Sequence, residues 1–314
     1  MADLDPSAAA FLDRLAASGA PPAHKAGVEG ARAAHLASAA TLAGPGPDVA
    51  AVTDDDADGV PVRIYRPDGP ATAVPLVAYL HGAGWVAGSV ETYDTLCRTL
   101  CREAGAVVVS VDYRLAPEAR CPAQLDDAWT ALCWARRHAG QLGADPSRVV
   151  VAGDSAGGAL AAVTARRARD EGLPLAAQVL VYPILDATVS QPSTLENGDG
   201  YYLTLADLRW YWDHYLSAGQ SRTNPDVSPF HTADLAGLAP ALVLTAGFDP
   251  LRDEGDTYAH RLEAAGVAVR RLPFPGQIHG FVRCAALIPE ALDALSAIGD
   301  FIRDLASAEV WDAD

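Results

Sequence analysis

The 314-residue chain is poor in basic residues, in methionine and in cysteine, and it has no long apolar run. Lys and Arg number 23 against 40 Asp and Glu, a formal charge of −17. Nucleic acid and anionic membranes attract basic patches, so this balance argues against both as partners. No apolar stretch reaches the roughly 18 residues a membrane-spanning helix needs. The opening Met1-Ala2-Asp3-Leu4-Asp5-Pro6 is acidic and lacks the basic-then-apolar order of a signal peptide. The five cysteines, Cys97, Cys101, Cys121, Cys133 and Cys284, are an odd number in a large chain. They suit a reducing compartment better than a disulfide framework, and a cytoplasmic location is expected. Cys97 and Cys101 share a helical spacing, but no matching His or Cys pair follows. They read as buried thiols, and no metal site is expected.

Half of the residues are hydrophobic, enough for a large core. The length suits one α/β core with an appended cap. Residues 7–18 and 24–43 are rich in Ala and Leu and read as two helices separated by Pro21-Pro22. Strand-like runs follow at 49–53 and 60–65, with the Asp54–Gly59 segment as a hairpin-type turn. From Pro75 onward, apolar runs at 76–80, 106–111, 148–152 and 178–182 alternate with helical stretches at 91–104, 122–139 and 156–171. The pattern resumes with strands at 241–246 and 268–274 and helices at 252–265 and 286–306. Near-continuous apolar strands joined by helices predict a mostly parallel sheet with helices on both faces. Residues 186–225 interrupt the alternation with Tyr201, Tyr202, Trp210, Tyr211, Trp212 and Tyr215. Such an insertion belongs above the carboxyl edge of the sheet, where open α/β folds bind ligands. The predicted organisation is cap helices over 1–46, a core over 47–185 and 226–314, and a cap insertion over 186–225.

The chemistry starts at Gly153-Asp154-Ser155-Ala156-Gly157, between an apolar strand and a small-residue helix. A serine between glycines at such a junction sits on a tight, strained turn that lifts its hydroxyl clear of the sheet. The N–H groups of the following helix point at the same place. A hydroxyl beside such donors is a candidate acyl-transfer nucleophile, which needs a base, an orienting acid and oxyanion donors. Most of the eight histidines read as helix or loop-surface residues, whereas His279 lies in a glycine-flanked loop at a strand's carboxyl end and is the expected base. Asp249 directly follows the strand at 241–246 and is the expected acid. Asp253, Glu254 and Asp256 are alternatives that fall in the next helix. The loop His81-Gly82-Ala83-Gly84-Trp85 follows the strand at 76–80, and its glycines let N–H groups turn inward. His81 is expected to orient that loop rather than take a proton.

Together these segments resemble the hormonesensitive-lipase-like family of esterases, the GDXG lipolytic enzymes. Asp112-Tyr113-Arg114-Leu115-Ala116-Pro117-Glu118, Asp249-Pro250-Leu251-Arg252-Asp253-Glu254 and His279-Gly280-Phe281 match in family order, and the resemblance covers nearly the whole chain. It implies an α/β-hydrolase fold with a helical cap, and carboxylic-ester hydrolysis without metal or organic cofactor. It assigns Ser155, Asp249 and His279 to the catalytic triad and Gly82, Ala83, Gly84 and Ala156 to the oxyanion hole. The N–H groups of Ala83, Gly84 and Ala156 are the expected donors. Ala83 stands where members often carry glycine, which narrows the acyl pocket, and Gln277 stands where they often carry methionine. Trp85, Asp154, Tyr182, Tyr202, Trp210 and Phe281 are expected to line the substrate pocket. Asp154 is further expected to brace the elbow through Arg114 or a backbone N–H rather than bias nearby titrations, and the Tyr113–Glu118 segment to brace the site from below. The aromatic cap predicts short- to medium-chain esters as substrates. A lactone, amide or carbamate on the same machinery is the alternative. A non-catalytic small-molecule receptor is disfavoured because His279 is present. The resemblance also allows a homodimer, although no patch in the chain marks an interface.

Overall fold

Alternate strand residues face opposite sides of the sheet, and here both sides are buried. In the computed structural model, which describes residues 3–69 and 73–305, β3 (Val74–Leu80) points Leu76, Ala78 and Leu80 into one core and Val77 and Tyr79 into the other. β5 (Ala144–Asp154) divides Val149 and Val151 from Val150 and Ala152 in the same way. This explains why these strands read as continuous apolar runs.

The remaining strands are β1 (Ala51–Asp56), β2 (Pro61–Arg66), β4 (Val107–Val111), β6 (Ala177–Val181), β7 (Ala241–Phe248) and β8 (Val269–Ile278). They form one eight-stranded sheet in the order β1-β2-β4-β3-β5-β6-β7-β8. β1–β2 and β2–β4 are antiparallel, and every later pairing is parallel. β1 runs on through Asp56, so the hairpin turn is Ala57–Val60 rather than the whole acidic stretch. Ala57 and Val60 close it with reciprocal N–H to carbonyl bonds of 2.7 and 3.3 Å.

The helices are α1 (Pro6–Ser18), α2 (Ala23–Ala43), α3 (Asp94–Ala104), α4 (Ala123–Leu142), α5 (Ala156–Asp170), α6 (Ser193–Glu196), α7 (Leu205–Tyr215), α8 (Arg252–Ala264) and α9 (Glu290–Asp304). α4, α5 and α8 cover one sheet face, and α3 and α9 the other. Asp5 caps α1 by accepting from the N–H of Ser7 at 2.8 Å, and Gly19 ends it in the left-handed region. α2 is not the single straight helix expected over 24–43. Gly27 has φ 73° and ψ 179°, which breaks its first turn from the rest.

α1 and α2 join the segment that interrupts the sheet. The His24 backbone N–H and ring Nδ1 lie 2.9 and 2.8 Å from Asp207 Oδ1 on α7. Phe11 of α1 meets Tyr202 edge-on at 5.4 Å. These elements lie towards the carboxyl ends of the strands. There the chain leaves β3 in one direction to reach β4 and leaves β5 in the other to reach β6, the strand-order reversal at which open α/β sheets hold their ligands.

Candidate active site

Strand register brings the site together. Leu80, the last residue of β3, pairs with Gly153 of β5, and Asp154 pairs with Val181, the last residue of β6. The loop beginning at His81 therefore lies beside Ser155. At Ser155 the backbone takes φ 54° and ψ −117°, a strained conformation for a residue with a side chain. Ser155 N donates to Val181 O at 2.8 Å, and Ser155 O accepts from the N–H groups of Ile184 and Ala159 at 3.1 and 3.2 Å. The glycines around it are sterically required. A Cβ on Gly157 would stand 1.9 Å from Leu80 O, and one on Gly153 would stand 2.4 Å from Gly157 O.

His279 follows β8 directly, because that strand runs on to Ile278, beyond the end expected at 274. Its Nε2 is 2.9 Å from Ser155 Oγ, and its Nδ1 is 2.7 Å from Asp249 Oδ2. Asp249 is wholly buried, while Ser155 and His279 keep 8% and 7% of their surface open to an incoming molecule. The second oxygen of Asp249 accepts from Leu251 N at 2.8 Å, so the carboxylate cannot swing away from the ring. The alternative acids are engaged elsewhere. Asp253 accepts from Ser193 N, Glu254 from Leu185 N, and Asp256 from the Thr245 hydroxyl. The other histidines do not reach Ser155. His138 and His214 bond to helix carbonyls, and His231 meets Asp186.

The oxyanion loop takes three consecutive left-handed residues, Ala83 at φ 74°, Gly84 at 65° and Trp85 at 60°. Ala83 therefore adopts the glycine-like geometry despite its Cβ. Among the described residues, no acceptor takes the N–H of Ala83 or Gly84. Ala156 opens α5, where the first N–H groups have no carbonyl from a preceding turn. Three N–H donors are thus free beside Ser155. Gly82, expected to belong to the oxyanion hole, is a correction. Its N–H lies 3.0 Å from both Asp154 Oδ1 and the Tyr93 hydroxyl, so it anchors the loop instead of facing a substrate.

His81 orients the loop. Its Nδ1 donates to Gly82 O at 2.9 Å, its ring stacks on Tyr113 at 4.2 Å, and burial pushes it down to about 4, which keeps it neutral. The Tyr113–Glu118 segment braces this arrangement. The Tyr113 hydroxyl donates to His81 O at 2.7 Å, and Ala116 N donates to Trp85 O at 2.8 Å. Arg32 of α2 adds a clamp that the sequence did not reveal. It donates to Val86 O and Ala116 O and forms a two-pronged pair with Glu118.

The expected pocket lining divides. Asp154 is buried and accepts from Tyr79, Tyr93 and Gly82 N, so it is a brace under the elbow and lines nothing. Burial raises its carboxyl above the ordinary range, offset in part by the Arg283 charge and by the Tyr79 and Tyr93 donors. Arg114, its suggested partner, pairs instead with Asp127 at 2.7 Å. Trp85 and Phe281 also move from lining to packing. Trp85 is enclosed by Tyr215 at 4.0 Å and Trp212 at 4.6 Å, and Phe281 by Phe274 at 5.0 Å. Tyr182 is buried behind the imidazole, with its ring centre 4.8 Å from that of His279. Tyr202 and Trp210 stay partly open. Tyr202 packs on Gly280, where a Cβ would lie 3.2 Å from its ring. Tyr211, not singled out from the sequence, lies on the oxyanion loop so closely that a Cβ on Gly84 would come within 2.1 Å of its ring. Asn197, likewise unforeseen, donates to Asp249 O at 3.2 Å and to Gly247 O at 3.3 Å, holding the acid's loop.

A serine on a strained strand-to-helix turn, a histidine and a buried aspartate from later strand ends, and free N–H groups alongside define an α/β-hydrolase. A family profile described as the alpha/beta hydrolase fold matches residues 77–283, and the chain belongs to that family. Among curated relatives, an ethyl acetate hydrolase of Pseudomonas putida is 39% identical over 305 residues, covering 93% of this chain and 96% of the relative. The carboxylesterase NlhH of Mycobacterium tuberculosis is 45% identical over 245 residues, 76% of each. Among solved structures, a hyperthermophilic esterase from the archaeon Pyrobaculum calidifontis superposes with a TM-score of 0.90 at 40% identity, over 98% of this chain and 100% of that one. An ester hydrolase from the metagenome of Lake Arreo, complexed with a bipyridine phosphonate derivative, reaches 0.91 at 37% identity, over 96% and 98%. Within the fold family, the chain is a carboxylic ester hydrolase of the hormone-sensitive-lipase-like group. No helix among the described residues is long and apolar enough to cross a membrane.

Proposed function

We propose that this enzyme cleaves short- to medium-chain carboxylic esters through an acyl-enzyme on Ser155. The carrying observation is the unbroken Asp249–His279–Ser155 hydrogen-bond chain of 2.7 and 2.9 Å. His279 Nε2 takes the Ser155 proton as Oγ attacks the ester carbonyl. The N–H groups of Ala83, Gly84 and Ala156 hold the tetrahedral oxygen, at about 3 kcal/mol or more per donor. His279 then protonates the departing alcohol, and water cleaves the acyl group by the reverse sequence of proton transfers. Asp249 keeps Nδ1 protonated and stabilises the imidazolium.

Tyr211 over Gly84 supports a confined acyl site, and a relative named for ethyl acetate supports small substrates. We assign residues 1–46 and 186–225 to the cap and place the enzyme in a reducing, cytoplasmic setting, a reading supported by its five free thiols. The decisive test is a p-nitrophenyl ester series from acetate to palmitate on the wild type and Ser155→Ala, with a fluorophosphonate label. Wild type should label at Ser155 and prefer acetate to hexanoate. Ser155→Ala should not label and should lose about 10⁶-fold in kcat. Near-normal turnover by the variant, or a preference for palmitate, refutes the proposal.

A further inference from the structure

One cation beside the site forms no direct ion pair among the described residues. Arg283 lies four residues past His279, at the end of the short 3-10 turn Phe281–Arg283. Its guanidinium lies over the Tyr93 ring, 4.7 Å from the centroid. Among the described residues, no carboxylate comes within ion-pair distance of it, and its buried Nε has no acceptor. The residue is only partly buried, and withdrawing even part of such a group from water without an adjacent anion carries a cost. Arg32 and Arg114, which also flank the site, are both paired with carboxylates.

Further orphaned polar atoms surround the same tyrosine. His35 of α2 stacks on Tyr93 at 6.0 Å, and both of its ring nitrogens are buried without a partner. Burial, together with the Arg283 charge, holds His35 well below its ordinary value, so it stays neutral and offers one N–H. The Tyr182 hydroxyl is buried and unpartnered as well, on the ring that backs His279. Asp154 is the carboxylate whose field Arg283 feels, but Tyr79, Tyr93 and Gly82 already occupy it, and Tyr93 lies between the two.

The position ties this cluster to the reaction. Tyr93 bonds to Gly82 N of the oxyanion loop through its hydroxyl and carries Arg283 on its ring. Roughly one tyrosine side chain therefore separates the cation from the loop. The charge of Arg283 also acts on Tyr202 and Tyr211, the rings that pack on Gly280 and Gly84.

We propose that Arg283, with His35 beside it, forms an anion subsite next to the oxyanion loop, and that it selects esters carrying a second, ionised carboxylate, such as monoesters of short dicarboxylic acids. The inference rests on the ester-hydrolase reading above. The planar guanidinium binds a carboxylate through two parallel N–H bonds, and Tyr93 beneath it fixes the plane. The substrate's carboxylate supplies a direct ion pair to the guanidinium while its ester carbonyl reaches Ser155.

The test compares kcat/KM for charged and neutral esters. Ethyl hydrogen glutarate carries the carboxylate on the acyl side, and 4-acetoxybutanoate carries it on the alcohol side. Ethyl pentanoate and butyl acetate are their neutral counterparts. For at least one pair, the charged-to-neutral ratio should fall about ten- to hundredfold in Arg283→Leu, mainly through KM, and recover in part in Arg283→Lys. An arm that needs no variant measures inhibition of ethyl pentanoate hydrolysis by glutarate and by neutral glutaramide, with glutarate expected to act at least tenfold more tightly. Equal losses on charged and neutral esters, or equal inhibition by the two diacid derivatives, overturns the subsite. If Arg283→Leu does not fold, the inhibition arm decides. If neutral esters are hydrolysed and both charged esters are refused, the subsite alone fails. If no ester is hydrolysed, the ester-hydrolase reading fails.

Discussion

Gly157→Ala separates the geometry of the elbow from its chemistry, because every reacting side chain is retained. Gly157 lies in α5, so alanine brings a local helix gain of about 1 kcal/mol. The opposing term is larger. The new Cβ would stand 1.9 Å from Leu80 O, 2.5 Å from Leu80 C and 2.6 Å from His81 O. All three are backbone atoms at the end of β3 and the start of the oxyanion loop, so no side chain can swing aside. Reaching ordinary contact at 3.4 Å requires α5 and β3 to separate by about 1.5 Å. Overpacking of this kind costs about 1–3 kcal/mol, which outweighs the helix gain. The same shift moves Ser155 and the Ala156 N–H away from the Ala83 and Gly84 donors. A misplacement of about 1 Å costs on the order of 10²-fold in rate. The expected result is a folded protein with lowered Tm and with kcat on p-nitrophenyl acetate reduced by 10² or more. Thermal unfolding and steady-state kinetics check both halves. Wild-type kcat together with a raised Tm would show that helix propensity wins and that the elbow tolerates a side chain there.

Asp249→Asn keeps the shape but presents the wrong hydrogen-bond partner to Nδ1, so kcat should fall about 10⁴-fold with little change in KM. A loss under tenfold would remove Asp249 from its role. Burial lowers His81 to about 4, so the unfolded chain binds a proton there that the folded protein refuses. That stability is fully present above pH 6.5 and is lost as pH falls towards 4, amounting to about 3 kcal/mol from this residue. His35 is lowered in the same direction and adds to the slope. Urea unfolding at pH 7 and pH 4.5 measures it, and equal stabilities at the two pH values would contradict it. Tyr211→Ala removes the ring lying on Gly84, so the chain-length optimum should move towards longer acyl groups. An unchanged optimum in the p-nitrophenyl series would place the acyl chain elsewhere.

The element order, the mostly parallel sheet and the interrupting segment were legible from periodicity and apolar runs. Boundaries slipped where a strand continued through polar or proline-containing residues, as in β8, which runs on to Ile278 through Pro273 and Pro275. The helix expected over 286–306 begins only at Glu290, because Pro289 keeps the residue before it out of the helical conformation and stands at the N-cap. Ser155, Asp249 and His279 were legible because each follows a strand end, and parallel strands in register carry their ends to one edge. The pocket was not legible. Trp85, Phe281 and Asp154 look like lining in sequence, yet each is enclosed by residues distant in the chain.

Local chemistry is what the sequence determined by itself. A serine between glycines, an aspartate and a histidine after strands, and closely spaced glycines after β3 name the reacting groups, because backbone conformation depends on nearby residues. The tertiary structure decided how those groups are held and what they meet. It chose Tyr79 and Tyr93 rather than Arg114 for Asp154, turned the Gly82 N–H away from the site, laid Tyr211 on Gly84, and left Arg283 Nε without an acceptor among the described residues. Each of these depends on packing between segments distant in the chain, and no local pattern encodes which distant side chain fills a given contact.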